Sequence, residues 1–474
     1  MEKQGVKLNT SNNFDKILNP VSTLGLFNGK EDTIVIAHKL YIHHSFSDNN
    51  EFKTFAYEIY TQEMIKDQLD ILNHKTNHSP HIYTYLFTST YALNGSCRSL
   101  DISDFHGVEN EDTICCVISR KGKEKYKNKA HITGTLMYCG DSYYSVNSTE
   151  DVYLIPLDIN LLASNKSKSI TLAYNQFENA LNEALKDFNN SESESPTSQP
   201  PVSDKALSTI YFYNVGNAST TKISHHSGVD LFFDCAIDNS ASQKYVPIVN
   251  TISKEKPNVI IISHWHLDHY NLIANLIQDN DNLTHIYHRQ PVGNYCIPNQ
   301  IKFIFIQIQN KVKIKEVNKT NVQNHELTSL GINDIIMYVA DDTKSNLSQS
   351  DYINDTCIML SIGNNKIGNR IFLPADASYD CWPDDPALYA NLNRFVLPHH
   401  GFLGFGDPNN SYLKKYNVKN LKFIRLFFSS SYPYPVDSHQ KYLETAIQIP
   451  KNSPQYNGTR FSNGLPYRYT TIKR

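Results

Sequence analysis

Four side chains that can bind metal ions lie within six residues of one another, directly after a short apolar segment. They are His264, His266, Asp268 and His269. Three imidazoles and a carboxylate are nitrogen and oxygen donors, which suit zinc, manganese or iron better than calcium or magnesium. On an extended loop, the alternating residues His264 and His266 can converge on one ion, while Asp268 and His269 can face a second. We therefore predict a site for one or two metal ions.

The apolar segment before these donors predicts a buried strand. Residues Val259–Ile262 are all β-branched, and the turn residues Pro257 and Asn258 precede them. Residues 271–278 follow the donors with a helical apolar pattern. The donors are thus expected on a loop at the carboxyl end of a strand, where open α/β sheets place their chemistry. The alternative, a polar surface loop that happens to be rich in histidine, fits a strand end poorly.

Further apolar segments are predicted as strands that run into polar side chains. The segment 230–234 ends in Asp234, the segment 370–376 in Asp376, and the segment 394–400 in His399 and His400. The pair His225 and His226 lies between two predicted strands, where a turn is as consistent with the sequence as a site. The segment 301–309 is also predicted as a strand because of its strong apolar run.

The pattern H-x-H-x-D-H after a buried strand resembles the signature of the metallo-β-lactamase superfamily. The order of Asn354, Asp376, His399-His400-Gly401 and Tyr432-Pro433-Tyr434-Pro435 is similar to that of the soluble metallo-β-lactamase domain of bacterial DNA-internalisation (competence) proteins. The resemblance covers about residues 205–474. It implies an α/β fold, an αββα sandwich of two mixed sheets flanked by helices, with up to two metal ions at one edge. It also implies an enzyme that hydrolyses phosphodiesters.

The resemblance assigns a role to each candidate residue. His264 and His266 would bind the first metal, Asp268, His269 and His400 the second, and Asp376 would bridge the two; His399 is the less favoured alternative to His400. Asp268 would also orient the attacking hydroxide. Asp234 and Asn354 would support the ligands from behind, and Asp234 would brace the ligand loop through hydrogen bonds.

Two positions depart from the pattern of the superfamily. Ala375 replaces a glycine before the bridging carboxylate, and Asn354 stands in the region where many members place a further histidine. The first metal is then left with His264, His266, Asp376 and water. Such a reduced ligand set favours a more weakly held, exchangeable ion such as manganese.

The composition indicates two folded regions. Residues 1–188 are predicted to form an α+β N-terminal domain, with helices over residues 51–72 and 169–189. Residues 189–205 are rich in Ser, Pro and Glu, which predicts a disordered linker. Residues 206–474 are predicted to form the hydrolase domain.

The net charge and the cysteines indicate which partners and which cellular compartment to expect. The net charge of −3 gives no overall signature of a nucleic-acid coat or a membrane binder. None of the eight cysteines forms a C-x-x-C pair, and neither a signal peptide nor a run of about 18 apolar residues is present. We therefore expect a cytoplasmic protein with reduced thiols that does not act at a membrane.

These observations predict a metal-dependent hydrolase that uses zinc or manganese to activate water. A phosphodiesterase or nuclease is favoured because of the resemblance, so the expected substrate is a nucleic acid or a nucleotide. Two alternatives remain: hydrolysis of a carboxylic ester, thioester or lactone, and a non-catalytic metal-binding scaffold. The N-terminal domain is expected to recognise substrate, to bind a regulatory protein partner or to restrain activity.

Overall fold

The computed structural model combines helices with several sheets, so the chain belongs to the mixed α/β class. The described residues fall into two compact units. The first contains those up to Lys186 together with Pro298–Phe303, and the second contains the others. The described residues are 32–47, 50–74, 84–92, 113–119, 132–139, 144–146, 153–157, 165–186, 208–213, 215, 218–237, 246–277, 280–290, 297–317, 327, 330–332, 334–345, 352–363, 370–390, 392–399, 412–416, 418, 422–425, 456–457 and 467–470.

The described part of the first unit contains an eight-stranded sheet in which every neighbouring pair is antiparallel. Its strands are β1 (Asp32–Ser47), β2 (Asn50–Tyr60), β3 (Thr84–Ala92), β4 (Thr113–Ser119), β5 (Ile132–Thr133), β6 (Thr135–Cys139), β7 (Tyr144–Val146) and β8 (Tyr153–Pro156). They are ordered β5-β8-β4-β1-β2-β3-β6-β7. The longest strands, β1 and β2, therefore occupy the middle of the sheet.

Two helices, α1 (Gln62–Leu72) and α2 (Asn165–Lys186), belong to the same unit. The prediction of one helix over residues 51–72 is wrong in its first half, which forms β2. The apolar spacing there also suits a strand, and pairing with both β1 and β3 decides the outcome. The helix begins only after Thr61, whose Oγ accepts a hydrogen bond from the Met64 backbone N–H at 3.2 Å.

The first sheet of the second unit is a mixed sheet of seven strands within the described residues. The strands are β9 (Thr209–Phe212), β10 (Thr220–Ser224), β11 (Asp230–Cys235), β12 (Val259–Ile262), β13 (His285–His288), β14 (Lys313–Glu316) and β21 (Tyr467–Thr470), in the order β14-β13-β12-β11-β10-β9-β21. Strands β11 to β14 run parallel. The predicted strand Val259–Ile262 thus lies between two parallel neighbours.

The second sheet of this unit has six described strands and is also mixed. They are β15 (Ile335–Val339), β16 (Ile358–Ile362), β17 (Arg370–Leu373), β18 (Leu392–Val396), β19 (Lys422–Arg425) and β20 (Tyr456–Asn457), and they pair in chain order. Strands β17 to β20 run parallel. Because β17 and β18 are parallel neighbours, Asp376 and His399, which follow them, come from the same edge of this sheet.

The remaining helices are short apart from one. They are α3 (Val246–Ile252), α4 (Leu267–Tyr270), α5 (Ile273–Ile277), α6 (Asn299–Ile308), α7 (Pro386–Ala390) and α8 (Tyr412–Lys415), with 3-10 turns at Asp342–Lys344, Asn354–Thr356 and Tyr379–Cys381. The prediction of a strand over residues 301–309 is wrong, because this run forms most of α6. An apolar run of this length does not distinguish a buried helix from a buried strand.

Side chains of both sheets in the second unit enter one hydrophobic cluster. Ile261 and Phe233 come from the first sheet, and Leu360 and Phe372 come from the second. Each large apolar side chain buried in this way contributes roughly 1.5–3 kcal/mol to the free energy of folding. The strands that carry the candidate site residues are therefore held by a common core.

Several predicted features lie outside the described residues. They include the linker 189–205, Tyr432-Pro433-Tyr434-Pro435 and His400. No helix in the described part of the chain combines the length and apolar character that crossing a membrane requires.

Candidate metal centre

The loop that carries the predicted ligands begins where β12 ends. All four residues of β12 are buried, and Ser263 to His266 continue in non-helical conformation until the short helix α4 begins at Leu267. His266 is extended, with φ −80° and ψ 142°. This change from extended to helical backbone separates His264 and His266 from Asp268 and His269, so the two pairs lie on successive elements of the same loop.

Three imidazole nitrogens surround one carboxylate oxygen at this edge. The Oδ2 atom of Asp376 lies 3.3 Å from Nε2 of His269, 3.8 Å from Nε2 of His264 and 3.9 Å from Nε2 of His399. The ligand atoms of His264, His269 and Asp376 all lie within 4.8 Å of one another. Bonds of about 2.0–2.2 Å to one zinc ion would place such atoms about 3.3–3.6 Å apart. These three side chains therefore have a spacing that could hold a metal ion.

His266 and Asp268 lie beside this group. Nδ1 of His266 is 3.0 Å from Nε2 of His264, and Oδ1 of Asp268 is 3.9 Å from Nε2 of His269. His266 is buried, whereas the side chain of Asp268 is 29% exposed. Asp268 is thus the carboxylate of the cluster that solvent or a substrate reaches most easily.

Asp234 connects the loop to the neighbouring strand β11. Its Oδ1 accepts a hydrogen bond from the Ser263 backbone N–H at 2.8 Å, and its Oδ2 accepts one from Ser263 Oγ at 3.0 Å. The same Oδ2 lies 2.8 Å from Nδ1 of His269. An ionised carboxylate can only accept, so this ring carries its proton on Nδ1 and turns Nε2 toward Asp376.

Burial and neighbouring charges shift the pKa values of two of the histidines in opposite directions. Burial lowers the pKa of His264 well below its ordinary value, and the adjacent His269 and His266 lower it further. Burial also opposes the charged form of His269, but the carboxylates of Asp376 and Asp234 outweigh it and hold the pKa of that ring well above its ordinary value. A neutral imidazole is a ready ligand, while a cation bound at His269 must displace a proton.

Unusual backbone geometry is concentrated around this cluster. Four non-glycine residues of the described chain have positive φ, and three of them are Asp234 (55°), Ala375 (51°) and His399 (44°). The His399 backbone N–H donates to the Ala375 carbonyl oxygen at 3.1 Å. Left-handed backbone at such residues costs on the order of 1–3 kcal/mol each and occurs preferentially at functional sites. Here it redirects the chain at the ends of three strands whose side chains meet.

The segment before β16 supports the residues that follow Asp376. Oδ1 of Asp355 accepts a hydrogen bond from the Ser378 backbone N–H at 2.8 Å, and its Oδ2 accepts one from Ser345 Oγ at 2.5 Å. The neighbouring Asn354 is fully buried, and its amide atoms have no hydrogen-bond partner among the described residues. Its predicted supporting role therefore stays a prediction.

Sequence reasoning missed two contributors to this site. Ser263 joins Asp234 to the loop, and its Oγ is 3.0 Å from Nδ1 of His264. Asp355 fixes the turn after Asp376. The only signal for either was its position next to a candidate site residue, His264 for Ser263 and Asn354 for Asp355, since serine and aspartate are usual turn residues.

A small cavity adjoins the cluster. It is lined by Asp376 together with small and apolar side chains, among them Ala218, Ser219 and Leu397. The arrangement thus combines buried nitrogen and oxygen donors, a partly exposed carboxylate and adjacent open space, which are the parts that a metal-assisted reaction of a small group requires. Comparison of the chain with protein-family models and with curated protein sequences finds no match.

Proposed function

We propose that this protein is a metal-dependent hydrolase and that its second unit is an αββα sandwich of the metallo-β-lactamase superfamily. The observation that carries the proposal is the convergence of three imidazole Nε2 atoms on Asp376 Oδ2 at 3.3–3.9 Å in a buried site. Two mixed sheets that share one hydrophobic cluster support the proposed fold.

The residues present fit a divalent cation of intermediate softness, such as zinc or manganese. His264, His269 and Asp376 would hold it, with His266 and His399 close enough to complete a first or a second site. Asp234 keeps the Nε2 atom of His269 directed inward. When bound, the cation lowers the pKa of a water molecule toward neutrality and stabilises negative charge on the substrate.

The role proposed for Asp268 follows from its position. Its carboxylate lies at the exposed side of the cluster, 3.9 Å from His269 Nε2. From there it can accept a hydrogen bond from the attacking water, orient it and take up its proton. The buried histidines behind it exclude bulk solvent from the reacting atoms, which strengthens electrostatic interactions with a charged substrate.

We propose a phosphodiester as the substrate because the motifs around His264–His269, Asp376 and His399 resemble those of competence proteins. A single negative charge on such a substrate also complements a site built from histidines and a cation. A nucleic acid and a cyclic or linear nucleotide contain the same bond. Esters, thioesters and lactones could be hydrolysed on the same fold, because a fold does not determine a substrate.

The test is a substrate panel with the full-length chain. The protein is stripped with a chelator, reloaded with zinc or manganese, and offered a chromogenic phosphodiester, single- and double-stranded DNA and RNA, and a carboxylic ester, a thioester and a lactone. Cleavage of phosphodiesters only in the presence of metal supports the proposal. Cleavage of carboxylic substrates alone would overturn the substrate class. Stoichiometric metal with no turnover of any substrate would favour a non-catalytic scaffold.

A further inference from the structure

A second group of side chains that could hold a metal ion lies at the opposite end of β11. His225 and His226 occupy the turn between β10 and β11, just before the amino end of β11, whereas Asp234 lies near its carboxyl end. The four residue steps from Asp230 to Asp234 span about 13 Å of extended chain. The second group is therefore separate from the centre at Asp376.

The third member of this group is Asp334, which directly precedes β15 of the other sheet. Its Oδ1 lies 2.7 Å from Nε2 of His225. The rings of His225 and His226 are 3.8 Å apart between centroids, and one ligand atom from each of the three residues lies within 4.8 Å of the others. As in the buried centre, three ligand atoms lie within 4.8 Å of one another, and His225 and Asp334 share a hydrogen bond that an ion would replace.

Hydrogen bonds fix the orientation of the His225 ring. The Ser227 backbone N–H donates to Nδ1 of His225 at 3.1 Å, and Ser227 Oγ lies 2.7 Å from the same atom. A backbone N–H can only donate, so Nδ1 is an acceptor and the proton of the neutral ring is on Nε2, facing Asp334. A cation between Nε2 and the carboxylate would take the place of this proton, as metal ions do when they bind to histidine.

The backbone on both sides of the group is held in place. The His225 backbone N–H donates to the Val229 carbonyl at 2.9 Å, and the Gly363 backbone N–H donates to the Asp334 carbonyl at 2.8 Å. Ser208 Oγ lies 3.4 Å from Asp334 Oδ2. His225 is buried while His226 is exposed. The site therefore has two positioned ligands and one that an incoming ion can reach from solvent.

We propose that His225, His226 and Asp334 form a second binding site for a divalent transition-metal ion, best suited to zinc, with water as the remaining ligand. Two imidazoles and one carboxylate are a usual zinc ligand set. Because the ligands come from a turn of the first sheet and from the segment entering the second sheet, the bound ion joins the two sheets of this unit. The proposal does not rest on the proposed hydrolase activity.

The test is a zinc titration of the full-length chain in competition with a chromophoric chelator at pH 7.5. The variant is His226→Asn, and the matched control is His74→Asn, which changes an exposed histidine in the first unit. Wild type and the control are expected to bind one more zinc ion per chain than His226→Asn. If His226→Asn still binds this ion, its affinity should be at least tenfold lower. The variant Asp376→Asn should retain this equivalent, which separates the two sites. Equal stoichiometry and affinity in wild type and His226→Asn would overturn the proposal.

Discussion

The carboxylate of Asp234 and the imidazole of His269 form a fully buried pair, with 2.8 Å between Oδ2 and Nδ1. Asp234 comes from the end of one strand, and His269 comes from the helix that follows the next strand. The pair therefore determines which nitrogen of His269 faces the centre. The ring of His269 is thus oriented by the neighbouring strand before any ligand binds.

Replacing Asp234 with asparagine is expected to weaken metal binding by about 10–100-fold. The amide N–H₂ would donate to Nδ1 of His269 and so move the ring proton to Nε2, the atom that should bind the ion. The effect is measured as the zinc affinity of the purified variant relative to wild type. Asp230→Asn, at the other end of β11 beside Lys222, is the control and should bind zinc as wild type does. Equal affinity in both variants would contradict this role of Asp234.

Asp268→Ala is expected to lower turnover by at least about a hundredfold while leaving the thermal unfolding temperature nearly unchanged. Its side chain is partly exposed, so little packing is lost, whereas a group that orients and deprotonates water contributes about 10²–10⁴ in rate. Turnover of a phosphodiester and thermal unfolding are measured on the same preparation. Unchanged turnover would remove Asp268 from the mechanism.

His399 is expected to matter more for the metal centre than His400, the reverse of the preference drawn from the sequence. Its Nε2 lies 3.9 Å from Asp376 Oδ2, and its backbone is held to Ala375. We expect His399→Ala to lower zinc affinity by a larger factor than His400→Ala. The two variants act as controls for each other, because they remove the same side chain from adjacent positions. A larger loss in His400→Ala would restore the sequence-based assignment.

Glu58 in the first unit is expected to make folding dependent on pH. Burial raises the pKa of this carboxyl from 4.5 to about 7. The hydrogen bonds that it accepts from the backbone N–H groups of Gln300 and Asn299 and from the Tyr60 hydroxyl lower the pKa, but burial outweighs them. The folded chain thus holds the proton more tightly than the unfolded chain. The free energy of unfolding should fall by about 3 kcal/mol as pH rises from 4.5 to 7, and then level off.

Denaturation by urea at pH 5 and pH 8 measures this dependence. Glu58→Gln should abolish the fall of about 3 kcal/mol in the free energy of unfolding. Glu63→Gln, which changes an exposed residue on α1, should retain this fall. Tyr60→Phe removes a hydrogen bond to the ionised form and should move the midpoint of the dependence to higher pH. The same pH dependence in wild type and Glu58→Gln would rule out this carboxyl as its source.

The local features of the centre were predictable because they depend on short segments. A run of four β-branched residues indicated β12, and ligands directly after it had to lie at its carboxyl end. The first half of the predicted helix 51–72 and the predicted strand 301–309 were wrong, because the apolar spacing of these residues fits both a helix and a strand. For β2, pairing with the preceding strand β1 and with β3, which a local apolar pattern does not reveal, decides the outcome.

Other parts of the centre depend on contacts that no local pattern encodes. The approach of Asp376 to His264 and His269 joins residues more than a hundred positions apart from two different sheets. The left-handed backbone at Ala375 and His399 was not predictable either, since alanine rarely adopts it and histidine does so only in a minority of cases. For the second group, the sequence drew attention to His225 and His226 but did not indicate that Asp334 lies beside them.

The most direct test of the hydrolytic centre compares Asp376→Asn with Asp384→Asn in bound metal and in phosphodiester turnover. Asp376 lies among the three imidazoles, whereas Asp384 is a surface carboxylate that pairs with Lys415. Both substitutions remove one charge and keep the shape of the side chain. We expect Asp376→Asn to lose the metal of the centre and metal-dependent hydrolysis, and Asp384→Asn to keep both. Wild-type hydrolysis in Asp376→Asn would contradict the proposed function.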